Sequence, residues 1–220
     1  MKQWRIPLLV GLACLIMGIV DAVIQPGYMM KSLIKMILFS LLPVLYGLYQ
    51  KEKTMLRFMK GDKKGIFSAL GLGVILYFVI LGAYFIFRNI FDFSALTSSL
   101  NKTTGVNSEN FIWVAIYISF VNSFLEEFFF RGFAYLTLKK EISKRVAMIF
   151  SSATFSLYHI AMMIGWFGVP VVLLSLAGLF VGGVIFNRID EKKETIYLSW
   201  LIHMFANFSI NTIGFILFAG

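Results

Sequence analysis

Residues 111–138 read FIWVAIYISFVNSFLEEFFFRGFAYLTL, an apolar run long enough to cross a lipid bilayer. Near its middle stand two adjacent carboxylates, Glu126 and Glu127, and one guanidinium, Arg131. Insertion scales assign each such group about 2.5–3.5 kcal/mol near the centre of a membrane, so the cluster costs on the order of 7–10 kcal/mol. A sequence that keeps this cluster needs a compensation, either from polar packing or from a functional role.

The composition of the whole chain indicates a membrane protein. Of its 220 residues, 59% are hydrophobic and only 14% are charged, which is more apolar surface than a soluble domain needs. The apolar runs are continuous and do not alternate, which favours transmembrane helices over barrel strands. We therefore expect an all-α membrane protein, with residues 1–220 forming a single transmembrane domain.

Seven predicted spans follow one another as a polytopic bundle. Spans 1–3, within residues 1–109, carry no recognisable motif, and spans 4–7 form the motif-bearing core, residues 110–218. The predicted bounds are Trp4–Ile24, Leu33–Tyr49, Ile66–Phe91, Phe111–Leu138, Val146–Ile164, Phe167–Phe186 and Ile196–Phe218. We expect Asp92–Asn110 to be the longest loop. Met55–Met59 is either a short interfacial helix or part of a solvated basic loop.

The basic residues divide unevenly between the two sides of the predicted membrane. With the N-terminus in the cytoplasm, that side collects fifteen of the 20 Lys and Arg residues. The four assigned to the outside are Lys31, Lys35, Arg88 and Lys102. Short basic loops are typical of the cytoplasmic side. The pattern predicts a cytoplasmic N-terminus and an external C-terminus, and it explains the net charge of +9 without a nucleic-acid partner.

Three polar patterns lie inside the predicted spans. They are Glu126-Glu127-x-x-x-Arg131 in span 4, Phe155-x-x-x-His159 in span 5 and His203-x-x-x-Asn207 in span 7. In each pattern the last residue comes four positions after an earlier one, which in the first pattern is Glu127. Residues four apart share one helix face. The groups come out at similar depths of roughly 10–20 Å from the predicted cytoplasmic ends. The patterns therefore predict one shared cavity.

A structural explanation of these residues competes with a functional one. A His or Asn inside a transmembrane helix often makes only a packing hydrogen bond, and Glu127 with Arg131 can be a neutralising ion pair. Glu126 is then left without a counter-charge in its own helix. Two neighbouring acids in a low dielectric tend to share a proton, and an acid held near neutrality can act as a general acid or base.

Taken together and in this order, EExxxR followed by Gly, FxxxH and HxxxN resemble the CPBP family. These are the CAAX-processing and bacteriocin-processing intramembrane proteases, also called the Abi family. The resemblance covers Glu126–Asn207, roughly the C-terminal half of the chain, and implies hydrolysis of a peptide bond within the membrane. It implies that Glu127 supports the acid before it and that Arg131 orients the acidic pair.

The resemblance also assigns the reacting groups. Glu126 is implied to be the essential acid that activates a water together with His159, while His203 and Asn207 hold the developing oxyanion. Two histidines and a carboxylate also make a possible zinc site, with Glu126, His159 and His203 as ligands and water as the fourth. The same atoms serve a metal-free site. We favour the metal-free interpretation, because Asn207 adds an oxyanion donor that reduces the need for a Lewis acid.

Two further functions stand beside that of an intramembrane endopeptidase. One is a non-catalytic scaffold or bacteriocin self-immunity protein, and the other is a proton-coupled transporter that uses the same buried groups. The absence of an inverted repeat argues against transport. For the protease we expect a peptide or membrane-protein substrate, lipidated or not, cut near the cytoplasmic side of a prokaryotic plasma membrane.

Overall fold

A computed structural model describes residues 2–50, 58, 63–91, 93, 95–163 and 167–219. These residues contain no β-strand and form eight helices. The helices are α1 Arg5–Ile24, α2 Tyr28–Tyr49, α3 Lys63–Phe87, α4 Ala95–Thr104, α5 Phe111–Lys140, α6 Lys144–Met163, α7 Val169–Lys193 and α8 Tyr197–Ala219. All of them except α4 provide a segment long and apolar enough to span a membrane. The predicted all-α class with seven spans is therefore confirmed.

The second span begins earlier than the sequence predicts. It starts at Tyr28 instead of Leu33, so Lys31 lies inside α2 and Lys35, which the charge count assigned to the outside, lies two turns from its start. Both lysines fit there because each contacts a buried carboxylate of a neighbouring helix. On the predicted outer side only two basic residues remain, so the charge asymmetry is larger than expected.

One predicted loop contains a helix in the structure, and two other predicted connections lie largely outside the described residues. Residues 92–110 contain α4, a polar helix whose composition hides it from a search for membrane spans. The segment Met55–Met59 lies outside the described residues except for Phe58. The connection between the predicted spans Val146–Ile164 and Phe167–Phe186, residues 165–166, lies outside them entirely.

Several helices contain turns that are wider than α turns. π-Helical hydrogen bonding occurs over Val20–Ile24, Ile37–Leu41, Ile118–Asn122 and Glu127–Thr137. Such i→i+5 turns are rare and are found mostly at functional sites. In the longest of them every residue is buried. The central motif is therefore not on the regular α-helix that its spacing suggested.

The helices approach one another closely where glycines face a neighbour. A Cβ added at Gly73 of α3 would lie 2.5 Å from the ring of Phe205 on α8. One added at Gly183 of α7 would lie 3.1 Å from the Cα of Ser152 on α6. Small residues let transmembrane helices pack in this way. Helices α6, α7 and α8 thereby pack around the motif-bearing half of α5.

Candidate active site

The acidic pair lies at the junction between an α turn and the long π segment of α5. Glu126 is 2% exposed and Glu127 is fully buried. Glu127 Oε1 accepts a hydrogen bond of 2.8 Å from His203 Nδ1, and its Oε2 lies 3.2 Å from Arg131 Nε. Since a carboxylate oxygen accepts this bond, His203 carries its proton on Nδ1. Glu127 thus joins α5 to α8 and fixes the orientation of the His203 ring.

The other carboxylate has a counter-charge from α2. Glu126 Oε1 lies 2.5 Å from Lys35 Nζ and accepts a second hydrogen bond, of 3.1 Å, from Asn122 Nδ2. The prediction that Glu126 lacks a counter-charge therefore holds only for its own helix. A lysine inside an apolar segment is a signal of an intramembrane function, but the charge count assigned Lys35, near the start of the predicted second span, to the outer side.

The second oxygen of Glu126 is in a different environment. Glu126 Oε2 lies 3.7 Å from His203 Nε2, which is beyond hydrogen-bond distance. Across the residues that the structure describes, Oε2 accepts no hydrogen bond, whereas Oε1 accepts two. The carboxylate is therefore held through one oxygen, and the other can accept a proton from a bound molecule.

His159 stands at a break in α6. Its backbone N–H bonds to the carbonyl of Ser156 at 3.1 Å, which leaves the Phe155 carbonyl to accept from His159 Nδ1 at 2.7 Å. Because a carbonyl can only accept, the proton is on Nδ1 and Nε2 keeps its lone pair. His159 Nε2 is therefore available as a hydrogen-bond acceptor.

The ring of Phe155 connects several of these groups. Its centroid lies 4.0 Å from Arg131 Cζ, and its ring meets that of His159 edge-on at 4.8 Å. The ring centroid of Phe186 lies 5.2 Å from the same Cζ. None of the Arg131 guanidinium nitrogens makes a hydrogen bond within the described parts of the chain. The Arg131 charge is therefore stabilised by Glu127 and by two aromatic faces. The motif predicted the contact with Glu127 but not those with the two rings.

Asn207 contacts the backbone of α5. Its Nδ2 donates to the carbonyl of Ile118 at 3.0 Å. On the same helix, Asn211 donates to the Ala115 carbonyl at 3.1 Å and Trp200 to the Phe120 carbonyl at 3.2 Å. These donors hold α8 along the first π segment of α5. One N–H of the Asn207 amide is thus used in helix packing, and an amide has a second.

The three side chains that could bind zinc are not grouped as a metal site among the described residues. Within the described ranges, no three His, Cys, Asp or Glu side chains are arranged to hold a metal ion. The Lys35 ammonium also lies 2.5 Å from Glu126 Oε1, so that one oxygen of the carboxylate already has a cation beside it. Glu126, His159 and His203 therefore do not fit a resident zinc ion.

A family model, described as Rce1-like and type II CAAX prenyl endopeptidase, matches residues 108–209. This range extends from just before α5 to the middle of α8 and contains all six predicted site residues. No curated protein and no solved structure matches the chain. The family match confirms the resemblance inferred from the three polar patterns.

Proposed function

Because residues 108–209 are a domain of this CAAX endopeptidase family, we propose that the chain is an intramembrane protease of the metal-free, glutamate type. The observation that supports the mechanism best is the asymmetry of Glu126. Lys35 and Asn122 hold one oxygen of its buried carboxylate, while the other accepts no hydrogen bond from the described chain. A carboxylate held in this way can act as a general base without losing its position.

In the proposed reaction a water binds between Glu126 Oε2 and His159 Nε2. The water oxygen bonds to the carbonyl carbon of the substrate while one water proton moves to Oε2. The tetrahedral intermediate then breaks its C–N bond, and Glu126 returns that proton to the leaving nitrogen. One water is consumed, and the products are a new carboxyl terminus and a new amine.

The negative charge that develops on the substrate oxygen needs donors in fixed positions. We assign this role to His203 and Asn207, which lie four residues apart on α8. In this role His203 keeps its Nδ1 bond to Glu127 and donates from Nε2 when that nitrogen also carries a proton. The second N–H of Asn207 is the other donor. Arg131 fixes Glu127 and, through the ring of Phe155, lies next to His159.

The proposed substrate is a peptide or a membrane-protein segment, with or without a lipid. His203 and Asn207 lie in the half of α8 nearer its basic, predicted cytoplasmic end, which supports cleavage near that side. Seven apolar helices make the chain an integral membrane protein. We assign it to a prokaryotic plasma membrane.

Replacing the base tests the proposal directly. We expect Glu126→Gln to lower cleavage by about 10²–10⁴-fold, the usual contribution of a general base. The measurement compares the termini of membrane peptides from cells that carry the wild type or the variant. Glu109→Gln is the matched control, since Glu109 is exposed and lies outside the spans.

Termini that do not change, with normal expression of the variant, would favour a scaffold or immunity role instead. Proton-dependent flux in vesicles would favour a transporter.

Metal removal tests the type of mechanism. Because the described residues do not form a zinc site, we expect exhaustive treatment of the purified protein with EDTA to leave cleavage unchanged. The rate of peptide cleavage before and after treatment is the measurement. Activity that is lost on chelation and restored by zinc alone would contradict the metal-free mechanism.

A further inference from the structure

We infer that Lys35 is a positioning residue for the catalytic carboxylate. It lies on α2, outside the matched residues 108–209 and in the half of the chain that carries no motif. It holds Oε1 of Glu126 and compensates its charge, so that Oε2 remains free to take the proton of a water. The catalytic part of this inference depends on the proposed protease function, whereas the pairing of Lys35 with Glu126 does not.

The contacts of Lys35 form a closed set with two residues of α5. Its Nζ lies 2.5 Å from both Glu126 Oε1 and Asn122 Oδ1, and Asn122 Nδ2 donates to the same Oε1 at 3.1 Å. Lys35 is only 5% exposed. Each member of the set therefore bonds to both others, and the position of Glu126 depends on a helix remote in sequence.

Aromatic rings hold the lysine in this position. The Lys35 ammonium lies 5.3 Å from the ring centroid of Phe39 and 5.1 Å from that of Tyr158. The ring of Phe39 in turn stacks on Phe129 of α5 at 4.2 Å with an interplanar angle of 4°. A lysine near a membrane surface usually extends its charge toward water. Lys35 instead has its charge enclosed beside Glu126.

Each carboxylate of the acidic pair has a basic side chain of its own. Arg131 pairs with Glu127, and Lys35 pairs with Glu126. A carboxylate without a counter-charge in a low dielectric favours its protonated form, which cannot act as a base. Loss of Lys35 should therefore reduce catalysis even when the substrate still binds.

Kinetics of two Lys35 variants test the catalytic part. We expect Lys35→Met to lower kcat by about 10- to 100-fold, the range for residues that orient a reactive group, with KM unchanged. Lys35→Arg should recover a large part of the loss, because it restores the charge. The matched control is Lys31→Met, one helical turn away, since Lys31 pairs with Asp21 and not with Glu126. A kcat of Lys35→Met equal to the wild-type value would overturn the inference.

Unfolding of the purified protein in detergent tests the pairing without any protease assay. Lys35→Met should lower the Tm, because it leaves a buried carboxylate unpaired. The double variant Lys35→Met/Glu126→Gln should be more stable than Lys35→Met alone, because it contains no unpaired charge. A double variant no more stable than the single one would overturn the inference. If the wild type cleaved no peptide, the proposed function would fail, and this comparison would still decide whether Lys35 and Glu126 are coupled.

Discussion

Arg131 and Glu127 are fully buried, and each compensates the charge of the other. Arg131→Leu would leave the Glu127 carboxylate in the core with only the His203 imidazole beside it. Removing one partner of a buried ion pair costs about 3–5 kcal/mol. We therefore expect a loss of that size in the free energy of unfolding, measured by denaturant titration in micelles.

A double variant separates the lost charge pair from lost packing. Arg131→Leu/Glu127→Gln removes both charges and should recover part of the stability that Arg131→Leu loses. The ring of Phe155 loses its cation in both variants, so that contact cancels in the comparison. Equal stability of Arg131→Leu and the wild type would show that the pair contributes nothing.

Single residues also show what local spacing could and could not predict. The four-residue spacing predicted that Glu127 and Arg131 meet, and the structure brings their side chains to 3.2 Å. It could not predict that Lys35 contacts Glu126, because the two are 91 residues apart and on different helices. The contact of His203 with Glu127 was likewise not specified, since a pattern gives the face of a helix and not its neighbour. The catalytic roles of the six residues stay predictions.

Among the helices, α5 departs most from what its sequence suggested. Apolarity alone does not distinguish an α turn from a π turn, so the run of residues 111–138 predicted a span but not its hydrogen bonding. Donors on another helix accompany the wide turn: Trp200, Asn207 and Asn211 all bond to groups of α5 around residues 115–120. The geometry of α5 is therefore visible only in the assembled bundle.

The contact between α6 and α7 can be tested with two adjacent glycines. A Cβ at Gly183 would lie 3.1 Å from the backbone of Ser152, whereas a Cβ at Gly182 would have no other atom within 4 Å. We expect Gly183→Val to be destabilising by about 1–3 kcal/mol, the usual cost of overpacking. Gly182→Val makes the same chemical change in the same helix and should cost less. Similar unfolding free energies for the two variants would contradict the close packing.

At the scale of the whole molecule, composition and continuous apolar runs were sufficient to predict the seven spans. The predicted bounds of the fourth span, Phe111–Leu138, differ from those of α5, Phe111–Lys140, only at the end. The polar helix α4 was missed because its composition, rich in Ser and Thr with one Asn, is typical of a loop. How the helices are arranged around α5 could not be read from the sequence, because it depends on contacts between distant segments.

Orientation in the membrane remains a prediction from the distribution of basic residues. In a Cys14→Ala background, a cysteine at Ser108 should react with a membrane-impermeant maleimide added to intact cells. A cysteine at Lys192 should react only after the membrane is opened. We expect this difference because positive residues are retained on the cytoplasmic side. If Lys192→Cys were labelled in intact cells and Ser108→Cys were not, the orientation in the membrane would be the opposite of the predicted one.

Because of the wide turn at Ile118–Asn122, the orientation of the site depends on the number of residues in this part of α5. If the same residues were wound as a regular α-helix, without the wide turn that takes up one extra residue, the helical phase of everything that follows would change by about 100°. Glu126 would then point away from α2, although every letter of its motif would be intact. In relatives of this chain, the number of residues between the start of this span and its paired acids therefore carries as much information as the acids themselves.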